Sequence, residues 1–212
     1  MTMKFLLPLS TAVLLAAGVR SAQAQTEFGL KAGVNFPSYS YTDSEALAGT
    51  ASIVRFYLTG YLDARIASGF YLHPEVSLQA KGSKLTESTV LGSGEVIQKT
   101  MWLDFPFNFL GKLPVSNNVK IFAGGGPYIG FAMDGTNTYA DSGSESAIII
   151  YDDNALKSVD YGINFLMGVK LEKRLSLNAN YRLGLANIAE SNYKWSSTIK
   201  NRVFSLGIGV AL

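Results

Sequence analysis

The 212-residue sequence has no cysteine and a single histidine. The first absence excludes disulfides, thiol catalysis and a lipid anchor on an N-terminal cysteine. Together the two leave little from which to build a zinc site. An excess of one charge is also lacking: the net charge is +2 with no basic run, so the electrostatics make no case for nucleic acid as a partner. No stretch approaches the roughly 20 consecutive apolar residues that a spanning helix needs. No internal repeat or linker argues for a second domain.

What is present begins with the marks of an export signal. Lys4 gives a positive start, 5–17 are apolar, and Ala22-Gln23-Ala24 forms an A-x-A cleavage site. Residues 1–24 are expected to be removed, leaving 25–212 as one domain. Composition alone (48% hydrophobic, 12% aromatic, 21 glycines) does not separate a soluble β-protein from a membrane barrel. Periodicity has to decide.

Eight segments alternate apolar with polar or small side chains, near 27–36, 54–66, 70–82, 101–111, 119–133, 159–171, 175–187 and 203–212. The seventh is the clearest. Leu175, Leu177, Ala179, Tyr181, Leu183 and Leu185 share one face, and Ser176, Asn178, Asn180, Arg182, Gly184 and Ala186 the other. Successive side chains of a strand point to opposite faces, so each segment has one greasy and one polar side. The connections alternate between short (near 67–68, 113–118 and 172–174) and long (near 37–53, 83–99, 134–158 and 188–200). An even strand count with short connections at one end and long at the other predicts an all-β, eight-stranded antiparallel up-and-down transmembrane β-barrel with both termini periplasmic.

A soluble barrel with its greasy faces inward is the competing reading. Three features weigh against it. The segments reach the 9–11 residues that cross a tilted membrane span. Phe28, Phe36, Phe70 and Phe131 sit near segment ends on the greasy face, as an interfacial girdle requires. The final strand, Ser205-x-Gly207-x-x-Val210-x-Leu212, resembles the C-terminal signal read by the outer-membrane assembly machinery, although Leu212 stands where that signal usually has an aromatic residue.

Eight strands enclose an interior only wide enough for side chains. The polar faces carry Lys31, Arg55, Asp63, Arg65, Glu75, Lys81, Asp104, Lys120, Asp160, Lys170 and Arg182. Buried charges must pair, so Glu75 with Lys31 and Asp104 with Arg182 are expected to belong to one inward network that plugs the lumen. Nothing in the residues points to catalysis, a cofactor or a metal. His73 is read as a hydrogen-bonded lumen histidine rather than half of a Ser–His pair. Asp141, Glu145, Asp152 and Asp153 lack the spacing of a calcium loop. Gly124–Gly126 is not followed by the Lys-Ser/Thr of a phosphate loop. Ile149 and Tyr151 in the third long loop, and Tyr193 and Trp195 in the fourth, are the candidate loop contacts. The expected partners are outer-membrane lipid, the barrel-assembly machinery during biogenesis, and an envelope or surface protein; no nucleic acid is expected.

Six stretches, FGLKAGVNF (28–36), GFYLHPEVSLQAKGSKL (69–85), WLDFPFNFLGKLPV (102–115), GGGPYIGF (124–131), LSLNANYRLGLANIA (175–189) and NRVFSLGIGV (201–210), together resemble the PorT-like outer-membrane β-barrel family in order and spacing. The resemblance implies an eight-stranded outer-membrane barrel. It also implies, for the family's founder, a link to assembly of a protein-secretion system. It carries no catalytic residues.

Overall fold

A computed structural model describes residues 26–42, 47–87, 95–139, 145–147, 156–172, 174–190 and 198–212; the expected signal, 1–24, lies outside them. Ten strands follow in order: β1 (Thr26–Thr42), β2 (Leu47–Ala51), β3 (Arg55–Ala67), β4 (Phe70–Glu87), β5 (Glu95–Ser116), β6 (Val119–Tyr139), β7 (Glu145–Ala147), β8 (Val159–Leu171), β9 (Leu175–Gly184) and β10 (Thr198–Ala211). Eight of them form an antiparallel ring. It runs β3–β1–β10–β9–β8–β6–β5–β4 and closes by pairing β4 with β3. The short strands are extensions: β2 continues along β4 beyond β3, and β7 lies on the far part of β6. Closure removes free edges, which lipid would not tolerate.

The faces sort as the alternation requires. Phe28, Phe70, Ile163, Phe165 and Ile208 are exposed on the outside, while Lys31, Glu75, Lys81, Asp104 and Arg182 are buried inside. Among the described residues, buried polar side chains outnumber buried apolar ones, the reverse of a water-soluble core. Tight turns join β3 to β4 at Ser68–Gly69, β5 to β6 at Asn117–Asn118 and β8 to β9 around Glu172. Gly69 takes φ +77°, a left-handed conformation that glycine adopts without strain.

Strand lengths depart from the sequence expectation. β5 and β6 have 22 and 21 residues, against expected spans of 101–111 and 119–133. Their ladder continues from Met101↔Asp134 to Val96↔Tyr139 through Gln98, Lys99, Thr136 and Asn137, where neither face is greasy and alternation gives no signal. β1 similarly runs past Phe36 to Thr42 by pairing with β10. β9 stops at Gly184, short of 187. From there Ile188 N–H donates to Ile199 C=O (2.9 Å) and Leu156 bridges Ala189, folding 185–190 across the end of the barrel away from the tight turns.

Candidate functional site

The inward faces of the eight strands meet in one polar column. At the tight-turn end Lys170 pairs with Glu27, and Lys112 with Asp63. Asp63 Oδ1 lies 2.9 Å from His73 Nδ1, and His73 Nε2 lies 3.1 Å from Glu75 Oε1. Lys31 Nζ donates to the same Glu75 oxygen at 2.6 Å, and Asn108 donates to it at 3.1 Å. Asn164 donates across the lumen to Asn108 (2.9 Å). Tyr61 stacks on the His73 ring at 4.9 Å between centroids, where the inward Gly29 leaves the ring its space.

The next level up is built around Lys81. Its ammonium lies 3.0 Å from Asp104 Oδ2 and 3.3 Å from Asp160 Oδ2, over the rings of Trp102 (4.8 Å) and Tyr128 (5.4 Å). Asp160 also accepts from Tyr128 (3.0 Å) and Asn201 (2.8 Å). Arg182 stands between the levels, with Nε 3.7 Å from Asp104 and a terminal nitrogen 3.9 Å from Glu75. Lys81, Asp104 and Asp160 are each 0% exposed. Isolated charges so placed would be prohibitive, and only mutual pairing makes them tolerable. Beside this level Asn35 caps the carbonyls of Phe56 and Ala80 and takes a hydrogen bond from Ser205.

Beyond the charges the lumen turns apolar. Tyr39, Leu85, Val96, Trp102, Leu156, Ile188 and Ile199 form a buried cluster at the end away from the tight turns. The sequence did not mark this cap. Its members sit on inward positions or beyond strand ends, where the two-residue period says nothing about their neighbours.

Of the residues singled out from sequence, Lys31 and Glu75 meet directly, whereas Asp104 has Lys81 closer than Arg182. Lys81, Asp63, Lys112, Asp160 and Tyr128 are equally part of the column; periodicity placed Lys81, Asp63, Asp160 and Tyr128 on the inner face, but partner choice needs register. Both ring nitrogens of His73 are engaged by Asp63, Glu75 and Lys31. Ile149, Tyr151, Tyr193 and Trp195 lie outside the described residues, as do Asp141, Asp152 and Asp153; of Glu145 only its backbone pairing is described.

The profile of the outer membrane protein beta-barrel domain family matches residues 21–190. Among solved structures, OprG from Pseudomonas aeruginosa superposes with TM-score 0.50 at 13% identity, covering 89% of this chain and 97% of that one. Ail from Yersinia pestis gives 0.43 at 10% identity (88% and 98% covered), and Neisserial surface protein A 0.42 at 16% (87% and 96%). At 13% identity the likeness to OprG speaks to the fold alone. No curated protein sequence matches significantly.

Proposed function

The chain belongs to the outer membrane protein beta-barrel domain family, and on that footing we propose that it is a closed, non-enzymatic barrel acting through its long loops, as a structural element of the outer membrane or as an interaction module. The observation that carries the closed reading is the column of paired charges between Lys170–Glu27 and the apolar cap, with Lys81, Asp104 and Asp160 wholly withdrawn from solvent. In this reading 1–24 are the cleaved signal, the tight turns and both termini face the periplasm, and the long loops face outward. Outer-membrane lipid surrounds the belt, the assembly machinery inserts the chain, and an envelope or surface protein meets the loops through residues such as Ile149, Tyr151, Tyr193 and Trp195.

Planar-bilayer recording tests closure: the purified protein is expected to give no stable large conductance, and a porin-like step would overturn the plug. Its migration on gels should shift with boiling; an unshifted band would revive the soluble barrel. A second reading, an accessory role in protein secretion or envelope assembly, is favoured by the six PorT-like stretches. A mild-detergent pull-down from outer membranes tests it, with co-purifying secretion components as the supporting result. A barrel enzyme acting on lipid or peptide ranks third, because His73 already has both ring nitrogens engaged.

A further inference from the structure

Three prolines interrupt the barrel wall along one line. Pairing of β3 with β4 lapses between Tyr61↔Glu75 and Ala64↔Leu72, which sets Leu62 opposite Pro74. Pairing of β4 with β5 lapses between Pro74↔Phe107 and Ser77↔Asp104, setting Glu75 opposite Pro106. Pairing of β5 with β6 lapses between Pro106↔Tyr128 and Phe109↔Gly125, setting Phe107 opposite Pro127. Proline has no N–H, so the carbonyls of Leu62, Glu75 and Phe107 lose their ladder donor. Among the described residues no side chain donates to them in its place. A membrane span normally satisfies every backbone group internally, because lipid offers no substitute.

The first lapse opens onto a recess. On the outer surface a groove of about 430 Å³ has a lining that includes Leu30, Gly60, Leu62, Pro74, Val76 and Leu212, with Tyr61 and Glu75 also bordering it. Gly60 makes its floor: a Cβ there would meet only Leu30 Cδ2, at 3.9 Å. The volume falls within the range of small-molecule sites, about 300–1,000 Å³, and the walls are mostly apolar, as is usual for such sites.

We propose that this groove binds a lipid-like molecule with one aliphatic chain and a hydroxyl head, the chain lying over Gly60 and the hydroxyl donating to the Leu62 carbonyl that Pro74 leaves open. An ordinary acyl chain fills the groove but supplies no donor; a hydroxyl supplies both. The site lies outside the lumen and does not depend on whether the barrel is plugged.

Native mass spectrometry of the full-length barrel in detergent, with 1-hexadecanol and its methyl ether as probes, tests the proposal. The two share a chain and differ by one donor. The unmodified protein is expected to retain one hexadecanol at about tenfold lower concentration than the ether, the scale of satisfying one buried acceptor that otherwise has no donor. Gly60→Leu fills the groove and should abolish retention of both. Pro74→Ala restores the N–H and should bring hexadecanol down to the level of the ether. Pro106→Ala, which mends a lapse away from the groove, should keep the preference. Equal retention of alcohol and ether by the unmodified protein overturns the proposal without recourse to any variant. So does a preference that survives Pro74→Ala, or binding unchanged by Gly60→Leu, in protein whose heat-modifiable migration shows a folded barrel.

Discussion

Lys81 is the residue on which the upper level of the lumen's charges converges. One ammonium serves Asp104 and Asp160 and lies over two aromatic faces, all without solvent. Lys81→Met keeps much of the volume, takes the paired cation from buried Asp160 and leaves buried Asp104 with only the more distant Arg182. Breaking a buried pair in this way costs about 3–5 kcal/mol, so the urea midpoint of the barrel in vesicles should fall accordingly. Arg182→Met is expected to cost less. Its contacts are 3.7 and 3.9 Å, and removing it leaves Asp104 with Lys81 and Glu75 with Lys31. The reverse order of the two midpoints would mean that Arg182, not Lys81, holds the column together.

Along a strand, the question is which face meets what. Phe165, exposed in the middle of β8, should face hydrocarbon. Phe165→Lys is therefore expected to lower folding stability by about 2–4 kcal/mol, the cost of a lysine near the bilayer midplane. The same change on a water-facing exterior would be nearly neutral, so a loss within about 0.5 kcal/mol argues for a soluble barrel. β10 passes through two apolar environments. Ile208 is exposed outward, whereas Ile199 is buried in the cap, and Ile199→Ala should cost about 2–5 kcal/mol through the cavity it leaves. These elements also mark what could be read from sequence. The alternation of Phe28 through Phe36 gave strand and face, and that of Val159 through Leu171 gave the ends as well, because one face is greasy and the other is not. It could not give the outer reaches of β5 and β6, where the alternation of greasy and polar residues is lost and only cross-strand pairing makes the strand. It could not choose Lys81 over Arg182 for Asp104, because that choice depends on how neighbouring strands slide past one another. The cap was hidden for a further reason: Ile188 follows the end of β9, and only the return of the chain over the barrel brings it to Ile199.

For the whole molecule, the remaining question is which end faces out. Three tight turns cluster at one end with Thr26 and Ala211, and the strand ends joined by the longer connections lie at the other. Long sequences between strands are where outer-membrane barrels place their outward loops, while short turns and termini remain periplasmic. The absence of cysteine makes this directly testable, since one introduced thiol is then the only thiol in the protein. Gly49 lies in β2 at the long-connection end, exposed and with nothing within 4 Å of an added Cβ, so Gly49→Cys should disturb little. Asn117 occupies the β5–β6 turn at the opposite end, also exposed. A membrane-impermeant maleimide applied to intact cells should label Gly49→Cys and spare Asn117→Cys until the outer membrane is permeabilised. The opposite pattern would invert the barrel. It would put the charged column's Lys170–Glu27 end, rather than the apolar cap, toward the exterior, so the seal against the outside would be ionic and salt-sensitive instead of hydrophobic.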